Sequence, residues 1–209
     1  RSVVIGEDIR RSSMHLKLSL AAGLIDGGAK ISDLGMCGTE EIYFATKHLG
    51  VDGGIEVTAS HNPINYNGLK LVKAGSIPIS GDSGLFSIRD RAESYDEMNV
   101  QARLHAFSDG ELVSDDDFLN GMHSIQERKL LETQYYERVS CVNDYVLHLA
   151  SYIDYKKLSP LKLVVNAGNG SAGDALDAIE WFLQHQHVAV EFIKVHHEAN
   201  GDCPNGIPN

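Results

Sequence analysis

Gly54-Ile55-Glu56-Val57-Thr58-Ala59-Ser60-His61-Asn62-Pro63-Ile64-Asn65-Tyr66-Asn67-Gly68-Leu69-Lys70-Leu71 is a buried-strand run that breaks into a loop and resumes as a second short strand. Ile55 and Val57 supply the β-branched part of the first run, and Leu69, Leu71 and Val72 the apolar part of the second. Pro63 keeps Asn62 out of the helical region. Asn65 and Asn67-Gly68 are expected to provide the positive-φ positions of the turn, so the loop has a defined path. It displays Ser60, His61 and Asn62 at a strand end, where open α/β sheets place their chemistry.

Outward from this loop, the chain alternates β and α signals. Ser2 to Gly6 is an apolar strand. A helix follows, capped by Ser12 or Ser13 and running to Asp26, with Met14, Leu18, Ala21, Ala22 and Ile25 on one face and Gly27-Gly28 ending it. Ala29 to Leu34 reads as a second strand, and Thr39 as the cap of a helix to His48 whose Ile42, Phe44, Ala45 and Leu49 face a core. After the loop come a short edge at Ile77 to Ile79 and a helix from Gly81 to Asp96. Beyond Val100 the pattern turns polar and irregular as far as Arg138. A helix between Val139 and Ile153, a buried strand Leu161 to Asn166, a glycine-rich loop, a helix Asp174 to Gln184 and a strand Val188 to Val195 then make a second βαβ-like unit. The expected fold class is α/β, with three-layer α/β sandwich domains and mixed sheets. The expected division is a first domain over 1–99, a connector over 100–138, and the incomplete start of a second domain over 139–209.

Composition narrows the function classes. Of 209 residues, 43% are apolar and 22% charged, an ordinary globular balance, and no apolar run reaches the length of a membrane span. A net charge of −11 argues against nucleic acid as a partner, because binders of that polyanion present a basic face. A small phosphorylated ligand stays open, since a few local cations suffice for one phosphate. Cys37, Cys141 and Cys203 are odd in number and widely spaced, which suits reduced thiols in the cytoplasm better than a disulfide frame or a zinc site. The chain opens at Arg1 with neither a methionine nor a charged-then-apolar leader, so it is expected to start inside a longer protein without a signal peptide.

Nothing around Ser60 offers the Gly-x-Ser-x-Gly turn of a hydrolase, and the adjacent Ser60 and His61 side chains point apart in an extended loop. A hydroxyl that takes up and returns a phosphoryl group needs cationic neighbours, amide donors, a metal and a proton shuttle. His61, Asn62 and Lys70 fit that need, while Ser, Asn and Pro also fill ordinary well-capped turns. A competing site lies at Gly168-Asn169-Gly170-Ser171-Ala172-Gly173, a Gly-x-Gly-x-x-Gly between strand and helix with Glu191 about twenty residues on, as in a dinucleotide-binding domain. Three glycines equally let a strand turn tightly into a helix with no ligand. The pairs His185/His187 and His196/His197 put no two imidazoles on one helical face, which disfavours zinc. Asp115 to Asp117 lack the spacing and the glycine of a calcium loop and read as solvated linker.

Thr58-Ala59-Ser60-His61-Asn62-Pro63, followed by Tyr66-Asn67-Gly68-Leu69-Lys70, resembles the phosphoserine loop of the α-D-phosphohexomutases. Gly35-Met36-Cys37-Gly38-Thr39-Glu40-Glu41-Ile42-Tyr43-Phe44 and Pro204-Asn205-Gly206-Ile207-Pro208-Asn209 are most similar to the bacterial phosphomannomutase branch of that family. The similarity runs over nearly the whole chain and is weakest between residues 85 and 140. Gly6-Glu7-Asp8-Ile9-Arg10 resembles the family's Gly-Arg-Asp-x-Arg element, with Glu7 in place of the first Arg. Arg10 would orient the Ser60 loop or make a surface salt bridge.

The resemblance implies that Ser60 carries a phosphate and passes it to a hydroxyl of a hexose monophosphate. A hexose 1,6-bisphosphate forms and turns over, and its other phosphate returns to Ser60. One oxygen of the Ser60 phosphate would ligate Mg²⁺, Lys70 would act as general acid or base, and His61 and Asn62 would position the phosphate and the loop. The implied pair is mannose 6-phosphate and mannose 1-phosphate, with phosphoglucomutase or phosphoglucosamine mutase chemistry as alternatives. The resemblance also implies a structural role for the glycine-rich turn. A carboxylate-rich metal loop is expected beyond Asn209, so this chain alone is expected to lack mutase activity. Outside the family, the alternatives are a dinucleotide-binding domain or a non-catalytic interaction fragment.

Overall fold

A computed structural model describes residues 1–108 and 125–206. Strands β1 (Ser2–Glu7), β2 (Lys30–Met36) and β3 (Gly53–Val57) run parallel and are linked by helices α1 (Ser13–Asp26) and α2 (Thr39–His48). The chain then turns back through the Ser60 loop into the antiparallel β4 (Leu69–Lys73), and β5 (Ile77–Pro78) extends that edge. Helices α3 (Leu85–Glu93), α4 (Glu97–Ser108) and α5 (Ile125–Leu131) precede β6 (Tyr136–Arg138), which pairs in parallel with β2. The result is a six-stranded mixed sheet in the order β5-β4-β3-β1-β2-β6.

Alternation along β1 makes the layers. Ile5 packs with Met14, Leu18 and Ala21 of α1 on one face, and Val4 packs with Ile42 and Ala45 of α2 on the other. Helices on both faces of a mixed sheet give the three-layer α/β sandwich that the pattern predicts. Leu49, expected in the core, is instead 38% exposed just past the end of α2.

Two expectations are corrected here. The stretch 100–138, read as polar and irregular, is helical over α4 and α5 and ends in a sheet strand, with Leu130 and Tyr136 buried in the α1-side core. A three-residue strand shows no alternation, and here its polar groups are used inside: the Tyr136 hydroxyl and the Arg138 guanidinium both donate to the buried Asp33. The single helix expected over 81–96 is a 3₁₀ turn at Gly81–Ser83 and then α3, separated by Gly84 at φ 129°. The Asp115–Asp117 run and the last three residues of the closing motif lie outside the described residues.

Further along, α6 (Val142–Ala150) packs on α2 and on α7 (Ala172–His185), the crossover helix between the parallel strands β7 (Leu161–Asn166) and β8 (Val190–Val195). Phe44 of α2 joins the two halves by packing its ring against Tyr145 and His148 of α6. Cys37, Cys141 and Cys203 are all free thiols. Among the described residues, no helix is long and apolar enough to cross a membrane.

Candidate active site

The Ser60 loop is closed at its neck by the Thr58 amide, which donates to the Gly68 carbonyl at 2.9 Å. Beyond the neck, Ser60 takes a left-handed backbone, φ 53°, a conformation that costs a non-glycine residue roughly 1 kcal/mol. Its amide donates to Thr58 Oγ1 at 3.0 Å, and the Asn62 amide and side-chain Nδ2 donate to the Ala59 carbonyl at 3.0 and 2.8 Å. The loop carbonyls are satisfied from beneath. Arg10, only 6% exposed, donates to those of Ser60 (3.0 Å), Asn62 (2.7 Å), Pro63 (2.8 Å) and Tyr66 (3.2 Å). A planar guanidinium can fan out to several acceptors in this way; a lysine cannot. Asp8 steadies Arg10 from the other side, accepting its amide at 3.0 Å and facing its Nε at 3.3 Å. Arg10 is therefore buried in the loop's foundation, not paired on the surface, while Ser60, His61 and Asn62 stand exposed.

The positive φ falls on Ser60, whereas Asn65, Asn67 and Gly68 all lie outside that region. Asn67 works through its side chain instead: Nδ2 donates to Ser12 Oγ and Ser13 Oγ, both at 2.9 Å, and Oδ1 accepts the Gly68 amide at 2.8 Å. The serines expected to cap α1 make no side-chain cap; they tie its start to the loop, and Ser13 also donates to Asp8. Sequence inspection assigned no role to Asp8 and only a turn role to Asn67. Their proximity to the loop depends on β1 and β3 being neighbours, which no local pattern reveals.

Lys70, half-buried on β4, donates to Thr39 Oγ1 at 3.2 Å. Thr39 is the first residue of α2 and does not cap it. That task falls to Glu41, whose Oε1 accepts the Gly38 amide at 2.9 Å.

Under the same end of the sheet, charges are buried on the α1 side. Lys17 is fully buried and pairs with Glu7 and with Asp33, at 2.7 Å to Asp33 Oδ2. Arg138 bridges Asp33 at 3.1 Å and Glu127 at 3.2 Å. Burial pushes the Glu7 carboxyl up, against the pull of Lys17. Burial also works to raise Asp33, but Lys17, Tyr136 and Arg138 outweigh it and hold that carboxyl below its ordinary value. Glu7, which departs from the family's Arg, is thus an interior partner of Lys17 and presents no charge to a ligand. The one signal for this network was a lysine on the apolar face of α1.

The glycine-rich loop is filled by its own chain. Its amides donate inward: Gly168 to Asn166 Oδ1 at 2.9 Å, Asn169 to the His196 carbonyl at 2.8 Å and Gly170 to the Ala167 carbonyl at 3.1 Å. At Gly173 a Cβ would meet the His197 carbonyl oxygen at 2.5 Å, so the space before α7 that a pyrophosphate would need is occupied. Glu191 pairs with Lys162 while the loop follows the Asn166–Val195 pair, four residues or roughly 13 Å along the strands. The acid is at the wrong end of the sheet to read a ribose. His197 pairs with Asp177 at 2.9 Å, and His196 with Asn205 at 2.7 Å. Among the described residues, no group of three or more His, Cys, Asp or Glu could hold a metal ion.

Comparison with known proteins bears on the fold and the family. Residues 1–99 match the family model described as phosphoglucomutase/phosphomannomutase, alpha/beta/alpha domain I. The chain is 46% identical over 209 residues to a phosphomannomutase of Vibrio cholerae serotype O1, covering 100% of this chain and 39% of that protein. It is 47% identical over 209 residues to a phosphomannomutase of Escherichia coli K12, covering 100% and 40%. A solved Burkholderia thailandensis phosphoglucomutase/phosphomannomutase family protein superposes with a TM-score of 0.63 at 28% identity, over 99% of this chain and 38% of that one. A Thermus thermophilus structure described as a phosphomannomutase shares the fold with a TM-score of 0.67 at 22% identity, over 100% and 40%.

A three-layer α/β domain with a serine loop at the end of its third strand is the architecture that the domain I model matches over residues 1–99. Residues 1–99 thus match the phosphoglucomutase/phosphomannomutase family and the whole chain is similar to phosphomannomutases, spanning about two fifths of the length of the curated relatives it matches.

Proposed function

We propose that the protein containing this chain is a phosphohexomutase that interconverts mannose 6-phosphate and mannose 1-phosphate through a phosphate on Ser60. The observation that carries this reading is the loop itself: its carbonyls are held by Arg10 from below, and Ser60 is left exposed at a strand end. Ligands in open α/β sheets bind at that end. The relatives named phosphomannomutase support the choice of sugar.

A hydroxyl of the hexose phosphate attacks the phosphorus on Ser60; the new O–P bond forms as the Oγ–P bond breaks. The hydroxyl proton passes by way of Lys70 to the departing serine oxygen, so proton and charge balance within the step. The resulting hexose 1,6-bisphosphate presents its other phosphate, and the same exchange runs in reverse. The loose transition state asks for charge compensation and alignment more than for covalent help. Arg10, with its donors engaged by loop carbonyls, supplies alignment. On this reading His61 and Asn62, exposed beside Ser60, hold the phosphate.

The family resemblance adds Mg²⁺ on one oxygen of that phosphate, as charge compensation. Among the described residues no group of three or more His, Cys, Asp or Glu could hold it, so of these residues only the phosphorylated Ser60 would give the metal a ligand, and no step here runs through the ion. On this account the chain alone holds the phosphoryl carrier without completing turnover. A reducing cytoplasm suits its three free thiols. In the protein as its own cells make it, Ser60→Ala abolishes stable phosphorylation by a hexose 1,6-bisphosphate; phosphoserine retained at another site would sink the assignment.

A further inference from the structure

The turn Cys37-Gly38-Thr39 joins β2 to α2 and belongs to the Gly35–Phe44 motif, to which phosphoryl transfer on Ser60 gives no task. Two of its side chains reach one rung of the β3–β4 ladder. Glu56 and Lys70 are directly opposed on that rung. Opposed side chains of an antiparallel pair share a face, with Cβ atoms roughly 5 Å apart. The Cys37 thiol donates to Glu56 Oε2 at 3.4 Å, and the Lys70 ammonium donates to Thr39 Oγ1 at 3.2 Å. Gly6 allows this close arrangement, since a Cβ there would collide with Cys37 Sγ and lie 3.1 Å from Glu56 Oε2.

An ionised Glu56 would pull the neighbouring ammonium inward to form a buried ion pair. The structure arranges the opposite. Glu56 is 1% exposed, and burial, reinforced by the Glu7, Asp8 and Glu41 carboxylates against the pull of the Cys37 hydrogen bond, pushes its carboxyl up to about 9. The neutral acid makes no such claim on Lys70, whose ammonium reaches past it to the hydroxyl at the start of α2. That hydroxyl is available because Glu41 does the capping.

We infer that Thr39 is a positioning residue for Lys70, its hydroxyl fixing the ammonium beside the neck of the Ser60 loop while the buried Glu56 leaves that ammonium undiverted. This rests on Lys70 as the proton carrier proposed above. Thr39 touches neither sugar nor phosphate in this account and acts through Lys70 alone.

The test compares the whole protein as wild type, Thr39→Val, Thr39→Ser, Lys70→Ala and the Thr39→Val/Lys70→Ala pair. One readout is the rate of phosphate transfer from Ser60 to a hexose monophosphate. The other, independent of activity, is the rate at which acetic anhydride acetylates Lys70 relative to the exposed Lys47, read by peptide mapping. Thr39→Val should slow transfer about tenfold, the scale of one hydrogen bond to a charged group. It should also speed labelling of Lys70, cost nothing further in the Lys70→Ala background, and be rescued by Thr39→Ser. Unchanged labelling of Lys70 in Thr39→Val overturns the inference, as does an equal loss of rate with and without Lys70. If Lys70→Ala transfers at the wild-type rate, the proton-carrier reading fails instead, recognisable because labelling still responds to Thr39→Val.

Discussion

The Ser60 loop and the glycine-rich loop 168–173 occupy equivalent places in their two sheets, past the carboxyl end of a parallel strand. Both set a non-glycine residue in the left-handed region, Ser60 at φ 53° and Asn169 at φ 58°. They differ in which side satisfies the backbone. In the first loop Arg10 takes up the carbonyls from the interior, so the outer surface remains available and carries Ser60, His61 and Asn62. In the second, the following chain lies over the turn: the His196 carbonyl accepts the Asn169 amide, the Asn200 amide donates back to the Asn169 carbonyl, and Asn169 is 8% exposed. A glycine fingerprint reports that a strand turns sharply into a helix. Whether a ligand can approach depends on what lies in front of it, and only tertiary structure decides that.

The comparison is tested hardest by removing what supports the first loop's end of the sheet. Lys17→Met leaves Glu7 buried without its cation and Asp33 with Arg138 alone, and chemical denaturation should show a loss of about 3–5 kcal/mol. Arg10→Lys keeps the charge and loses the fan of hydrogen bonds. Phosphate transfer at Ser60 should fall about 100-fold, as for a misplaced reacting group, with the fold retained by circular dichroism.

The second loop should respond in the opposite way. Gly173→Ala drives a Cβ into the His197 carbonyl and should cost about 2 kcal/mol of stability, with Ser60 phosphorylation unchanged. A loss of phosphorylation in that variant would show that the two loops are not independent.

The smallest effect, taken per pH unit, is a pH slope. Folded Glu56 holds its proton up to about 9 against an ordinary value of 4.5. The folded state therefore binds the proton more tightly than the unfolded one. Its contribution to stability is complete below pH 4.5 and is lost as pH rises towards 9, at about 1.4 kcal/mol per pH unit. Glu56→Gln should flatten that slope, read as melting temperature between pH 5 and pH 8.5.

Much of the fold was legible because it rests on local rules. β7 runs from Leu161 to Asn166 as its apolar run predicts, although Leu161, Leu163 and Val164 are exposed where a buried strand was expected, and α1 ends at Asp26 before the two glycines. The serine loop's place between two strands was legible for the same reason, but its path was not, since the left-handed residue is Ser60 and Arg10 holds the carbonyls. What escaped depends on contacts between distant segments. β6 is a strand because Tyr136 and Arg138 reach Asp33, over a hundred residues earlier in the chain. Thr39 and Ser13 look like caps by position, yet their hydroxyls meet Lys70 and Asn67, which the β3–β4 hairpin brings alongside. Arg10 stood between two assignments until the burial of its guanidinium decided for the loop.

The most direct test of the contrast is intact mass with peptide mapping on the protein purified from its own cells, before and after incubation with a hexose 1,6-bisphosphate. Each loop carries a serine, Ser60 in the first and Ser171 in the second, so the map reads both at once. The account predicts a gain of one phosphate on the Ser60 peptide, none on the Ser171 peptide, and loss of the first to added mannose 1-phosphate. A phosphate on Ser171, or none on Ser60 under any condition, would contradict it.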